Sequence, residues 1–236
     1  MIFMRRTLAV SVLAGLVAGS ASADIIIDDF SSVGIPTPWP VLINTISSVD
    51  VLETGLTGVI GGARYSTVRA TFLEELGLDF VQAAIVPNFG MILDYSSTSG
   101  ANGDWNLQYD ANGAGLNANF STINDIVLGF SRFDFANDQP LPVLVTLFDG
   151  ANFATLSRSL TVPGPQGLHF EFAGFAGIGS LDLASIQSVG VFLDPALAAD
   201  FRLSGITGVP APGSLALLAV GSLALAGGRR RRDSAV

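Results

Sequence analysis

The chain has no cysteine and one histidine, His169, among its 236 residues. That excludes a disulfide framework, a thiol nucleophile and zinc sites built from Cys and His. Lysine is absent too, since all eleven basic residues are arginine. Schiff-base chemistry and a lysine general base are closed off. A Ser-His-Asp triad would have to use His169, and no G-x-S-x-G elbow leads into a helix. Long amphipathic helical patterns are missing as well. The enzyme repertoire left open is narrow.

What is present falls into three parts: 1–23, 24–208 and 209–236. The central stretch carries five arginines against nineteen carboxylates, a net charge of −14. Such a surface repels phosphate backbones, so nucleic acid is not an expected partner. About 185 residues are enough for one sizeable core.

The opening residues have the order of a secretory signal. Arg5 and Arg6 precede an apolar run, Thr7 to Gly19, too short for a usual membrane span. An A-x-A site follows at Ala21-Ser22-Ala23, with cleavage expected before Asp24. The closing residues place Val209, Pro210, Ala211 and Pro212 before an apolar segment, 214–228. Arg229, Arg230, Arg231 and Arg232 come next, and the positive-inside rule puts them on the cytoplasmic side.

This three-part tail resembles the PEP-CTERM sorting signal of Gram-negative bacteria, with Ala211 where that family's name implies Glu. The resemblance implies recognition by an exosortase-type membrane protease after export by the Sec translocon and signal peptidase. The expected location is inner-membrane attachment before processing, then the cell envelope or the extracellular space.

The central part alternates apolar and polar residues with period two. In LPVLVTLFD, Val143, Val145 and Leu147 share one face. In GLHFEFAGF, Leu168, Phe170 and Phe172 alternate with His169, Glu171 and Ala173. Similar runs occur at Ile25 to Phe30, Phe80 to Val86, Met91 to Tyr95, Trp105 to Tyr109, Ile126 to Phe135, Phe153 to Val162, Ile186 to Leu193 and Phe201 to Ile206. Gly, Asn, Asp and Pro separate most of them, so about ten antiparallel strands are expected. Short helical turns are expected at Glu74 to Leu76 and Asp182 to Ile186, and an irregular loop over 31–48. The predicted fold is an all-β antiparallel sandwich, flanked by the N-terminal signal helix and the C-terminal hydrophobic helix. The sequence words IIIDDF, GGARYSTVR, LQYDANGAGLNANFS and VLVTLFDGAN resemble galactose-binding-domain-like jelly rolls, which occur as carbohydrate-binding modules.

Few residues offer chemistry. Asp28 and Asp29 are strand neighbours, so their side chains point to opposite faces and form no catalytic pair. The stretches Asp94 to Asp104 and Asp110 to Gly113 combine oxygen ligands with glycine, as calcium requires, although such words are also plain turns. The jelly-roll resemblance implies a structural calcium at Asp28 or Asp29 with Asp200. For sugar binding the aromatic candidates are Trp39, Trp105 and Tyr109, with Tyr65. Arg64 and Arg69 are expected to sit against carboxylates. The reading is a non-enzymatic, exported envelope or matrix protein that contacts exopolysaccharide. A polysaccharide hydrolase and a purely structural matrix protein are the alternatives.

Overall fold

The period-two pattern becomes strand almost wherever it occurs. In the computed structural model, which describes residues 23–34, 37–87, 91–134 and 139–210, thirteen strands are seen. They are β1 (Ile25–Asp28), β2 (Val41–Ile43), β3 (Ser48–Thr54), β4 (Ala63–Leu73), β5 (Val81–Val86), β6 (Ile92–Ser97) and β7 (Ala101–Tyr109). Then follow β8 (Ile123–Asp134), β9 (Leu141–Phe148), β10 (Phe153–Leu160), β11 (Gln166–Glu171), β12 (Ser188–Leu193) and β13 (Asp200–Pro210).

Two antiparallel sheets result. The first runs β11-β8-β13-β6-β5-β2, with β1 also pairing with β13. The second runs β10-β9-β12-β7-β4-β3. In β9 the buried residues are Leu141, Val143, Val145 and Leu147, which is the alternation read directly as a face. The long strand β13 organises the first sheet. It pairs with β8 along most of its length; on its other side Asp200–Leu203 meet β6, while Ile206–Gly208 meet β1.

Both tryptophans lie between the sheets. Trp39 and Trp105 pack with ring centroids 5.4 Å apart, and Tyr95 stacks on Phe201 at 4.9 Å. Such pairs add to area burial by filling the roughly 10 Å gap with rigid rings.

The same interior holds a charged cluster. Arg64 on β4 donates from Nε and Nη2 to Glu53 Oε2 on β3, at 2.9 and 2.8 Å. Its Nη1 reaches Asp28 Oδ2 on β1 at 2.7 Å. The Tyr109 hydroxyl on β7 donates to that same oxygen at 2.9 Å, and the Phe30 amide donates to Oδ1 at 2.8 Å. The Gly34 amide completes Glu53 through Oε1 at 2.8 Å. All three charged side chains are fully buried. Burial pushes the Asp28 carboxyl up, Arg64 pulls it back, and the net direction is upward. The phenol of Tyr109 is also driven well above its usual range, by burial and then by the charge of Asp28.

Several expectations need correction. Among the described residues the helical pieces are 3-10 turns, such as Ile60–Gly62, Phe172–Gly174 and Ile178–Ser180. No helix there is long and apolar enough to cross a membrane. Among the described residues the sandwich therefore has no flanking helix, and the expected inner-membrane-attached topology finds no helix there to carry it. The segments that carried those expectations, including Ala21, Ala211, Pro212 and Arg229, Arg230, Arg231 and Arg232, lie outside the described residues. Val209 and Pro210 of that tail end β13, paired with Asp125 and Ile123. Proline is tolerated at a strand end, where its missing N–H breaks no ladder. Ala23 and Asp24 are exposed just ahead of β1. Residues 31–48 contain β2, and Glu74 to Leu76 form a bend, not a helix. Strands β3 and β4 lack a clean apolar alternation, because β3 carries Asp50 and Glu53 and β4 is interrupted by Arg64 and Arg69.

The buried cluster yields a direct expectation. Replacing Arg64 by Met leaves two buried carboxylates without their cation, and urea denaturation should show a loss of about 3–5 kcal/mol. A loss below about 1 kcal/mol would show that the cluster is not holding the sheets together.

Candidate functional site

The outer face of the second sheet carries a groove with the chemistry of a neutral polar ligand. Its floor is the Leu52, Tyr65 and Gln108 end of a row of residues in register across the whole sheet. Leu52 pairs with Tyr65, Tyr65 with Gln108, Gln108 with Gly190, Gly190 with Thr146, and Thr146 with Thr155. Two adjoining concavities of about 310 and 360 Å³ open along this row and share Gln108, Asp110 and Gly113. Tyr65 and Leu52 line one end, and Phe148, Gln187 and Ser188 line the other.

One wall is the loop after β7. Ala111, Asn112 and Gly113 take successive left-handed conformations, with φ of 54°, 57° and 81°. Asparagine and glycine adopt this region readily, which explains the local word DANG. Asp110 fastens the turn: its Oδ1 accepts from the Gly113 amide at 3.0 Å and its Oδ2 from Gln108 Nε2 at 3.1 Å. The loop is tied to the strand β12 side by Leu116 N to Gln187 O at 2.8 Å, and by Gln187 Nε2 to Asn117 Oδ1 at 2.9 Å. The wall is built before any ligand arrives.

The far end is fixed by a second carboxylate. Asp149, between β9 and β10, accepts from the amides of Ala151, Asn152 and Asp182 at 2.8, 2.7 and 2.9 Å. Those amides, first Asp182, then Asn152 and Ala151, hold its carboxyl well below the usual range. Phe148 and Phe153 stack beside this turn at 4.3 Å.

Chemically, the groove offers amide and hydroxyl groups, exposed aromatic and aliphatic faces, and no arginine in its lining. Its carboxylate, Asp110, is already engaged. These groups are complementary to hydroxyl-rich, uncharged molecules with apolar ring faces.

Of the aromatic residues singled out in the sequence, Trp39, Trp105 and Tyr109 lie outside this groove, and Trp39 borders a concavity beside Pro40 and Gln82. Trp105 and Tyr109 are fully buried and Trp39 is nearly so, so none forms a surface platform. The physical reason is alternation: Trp105, Leu107 and Tyr109 share the inner face of β7, which turns Asn106 and Gln108 outward. That signal was available in NLQYD. Tyr65, also a candidate, does face the groove. Gln187 and Phe148 had no local signature, because their approach depends on the pairing of β9 with β12.

The carboxylates expected at a calcium site do not converge. Asp28 is committed to Arg64, Tyr109 and Phe30, while Asp29 Oδ1 accepts from the Ser31 amide at 2.9 Å. Asp28 pairs with Ile206, whereas Asp200 pairs with Ser96 and Asp134 at the other end of β13. Among the described residues no group of three His, Asp or Glu side chains could hold a metal ion. Arg64 and Arg69 do sit against carboxylates, Arg69 on Asp104 at 2.9 Å. His169, exposed on β11, contacts Asp125 at 2.6 Å.

No family model matches the chain, and no curated protein matches it. The sorting-tail resemblance gains no support from them. Among solved structures, the chain is similar to the family 11 carbohydrate-binding module of the cellulosomal cellulase Lic26A-Cel5E of Clostridium thermocellum. Identity there is 15% and the TM-score 0.41, over 81% of this chain and 97% of that one. The same kind of module in complex with a β-1,3-1,4-mixed-linked tetrasaccharide gives 14% identity and a TM-score of 0.40, covering 81% and 98%. TmCBM61 in complex with β-1,4-galactotriose gives 8% identity and a TM-score of 0.30, covering 70% and 88%.

The Asp149 turn provides a pH test. A carboxylate with a depressed folded-state pKa stabilises the fold above its unfolded value of 3.8 and loses that contribution as pH falls toward the folded value. An Asp149→Ala variant should melt below wild type at neutral pH, and the gap should close as the pH is lowered past 3.8. A gap independent of pH would refute the assignment.

Proposed function

We propose that the chain is a non-catalytic, carbohydrate-binding β-sandwich that holds a neutral polysaccharide, such as an exopolysaccharide, in the groove over Tyr65 and Gln108. The observation carrying this reading is the floor row itself. A phenol, a carboxamide, a glycine and two threonines lie in register across five strands, β4 to β10, beside a pre-formed amide-bearing wall. Sugars present hydroxyl edges, which donate and accept, and C–H faces, which pack on aromatic rings. Gln108 and Gln187 suit the edge; Tyr65, Leu52 and Phe148 suit the face.

Charge narrows the ligand class. The central part of the chain carries a net −14, and the groove lining adds no cation to offset it. Anionic glycans would be repelled, and a neutral chain would not. A catalytic reading has less to stand on. Asp110 is spent on fastening its loop, and Asp149 is spent on a turn. Glycoside hydrolysis requires two free carboxyls facing each other across the bond.

Affinity electrophoresis against neutral and acidic polysaccharides tests the proposal. Binding to a neutral glycan should fall roughly threefold to tenfold for Tyr65→Ala and for Gln108→Ala, as the loss of about 0.5–1.5 kcal/mol each would give. Equal binding by wild type and the double variant would overturn it. Raising the salt concentration should leave the affinity nearly unchanged, since no ion pair is made across the interface. A steep loss with salt would instead indicate an anionic ligand.

A further inference from the structure

The opposite face of the sandwich carries a second, differently built concavity. On the outer side of the first sheet two rows run in register across four strands. One is Ala84–Asp94–Arg202–Arg132, on β5, β6, β13 and β8. The next is Gln82–Ser96–Asp200–Asp134 on the same strands. Together they form a trough of about 240 Å³. A neighbouring concavity of about 410 Å³ shares Gln82, Ala84 and Asp94 and adds the apolar surfaces of Pro40, Val86 and Pro87.

The ion pairs in the trough are uneven. Arg202 reaches both oxygens of Asp94, at 3.2 and 3.4 Å. Arg132 donates from Nη2 alone, a long hydrogen bond to Asp134 Oδ2 at 3.5 Å, with Asp200 at 3.7 Å and 48% of its side chain exposed. Most of its donors are therefore uncommitted, in a planar fork that suits vicinal oxygen acceptors. Beyond the arginines Gly205, Gly129 and Gly167 pair across β13, β8 and β11, and the Ser204 hydroxyl donates to the Gly129 carbonyl at 2.8 Å. No left-handed backbone is required at these three positions, and only the side chains of Ser204, Val127 and His169 or the Asp28 carbonyl approach them. Interior strand glycine marks a bulge or a close approach, and β13 shifts register on both sides of Leu203, just before Gly205.

Two arginines against Asp94, Asp134 and Asp200 leave no positive excess, so an anion is not favoured. The trough instead alternates donors and acceptors beside an apolar shoulder, which again fits a hydroxylated, uncharged ring. We propose that it is a second glycan subsite, so that one molecule holds two polysaccharide chains, one on each outer face, and cross-bridges them. The bridging rests on the reading of the Tyr65–Gln108 groove; the trough's own binding does not. With sheets about 10 Å apart and the core between them, two occupants on opposite faces cannot touch. Their joint effect is multivalency, not a shared pocket.

The full chain is titrated with a soluble neutral glucan oligosaccharide, and its ability to cluster the long-chain form of that glucan is followed by light scattering. The variants are Arg132→Ala, Gln82→Ala and the groove double variant Tyr65→Ala/Gln108→Ala. Wild type should show two sites per chain and cluster the polymer. Arg132→Ala and Gln82→Ala should each keep the groove site and lose clustering, with trough affinity down about tenfold or more for the charged donor. The groove double variant should keep one site and also lose clustering. Clustering unaffected by both trough variants would overturn the proposal. So would a single site that only the groove variant removes. A single site that survives the groove variant and vanishes in Arg132→Ala would instead sink the groove reading and leave the trough as the glycan site. No binding by the folded wild type would overturn both.

Discussion

Arg64 is the point on which this sandwich turns. It sits on the second sheet yet reaches Asp28 on the first, and in the same step it neutralises Glu53 on the neighbouring strand β3. Tyr109 and the Phe30 amide use the remaining capacity of Asp28, so the group is nearly closed on itself. A buried guanidinium is costly to desolvate, and only this degree of pairing makes it tolerable. The consequence is positional. Hydrophobic burial alone would let two sheets slide, whereas a four-strand polar knot fixes which residues of β1, β3, β4 and β7 lie opposite one another. Tyr65 and Gln108, the immediate neighbours of Arg64 on β4 and of Tyr109 on β7, inherit that register.

The outer faces then divide their chemistry. The second sheet presents amides, hydroxyls and rings around a wall made rigid by Asp110, and the first presents arginine and aspartate in crossed rows. Both avoid a concentrated positive patch in a strongly acidic chain. A sheet face is a cheap place to build such rows, because hydrogen-bonded strands hold every second side chain at a fixed spacing without any packing cost. The loops supply only walls and ends.

Much of the fold was legible in the sequence, and the reason is visible in particular residues. Leu141 to Phe148 and Trp105 to Tyr109 alternate without interruption, and each is a strand. Strands β3 and β4 were missed because their buried positions include Glu53, Arg64 and Ser66, which a polarity pattern assigns to the outside. The same period governs the aromatics of β7. Trp105 and Tyr109 were chosen for their side-chain chemistry, although the period put them inside with Leu107. Gln108, between them, was the residue facing out. Gln187 and Phe148 could not be found locally, since they meet only through the β9–β12 pairing. The flanking helices were inferred from hydropathy at the two ends, and the described residues gave them no counterpart.

The pairing of β1 with β13 has a mechanical meaning. Ile25 lies against Gly208 and Asp28 against Ile206, so the chain enters and leaves the sandwich at the same end of an antiparallel pair. A force that separates the two ends acts on those hydrogen bonds one after another, in the manner of a zipper, and not on all of them together in shear. The first resistance is the short β1 ladder; the next is Asp28, anchored in the Arg64 knot. A tether drawn taut at both ends would thus open at a defined seam, while the trough and the groove on the outer faces keep their shape until the knot gives way.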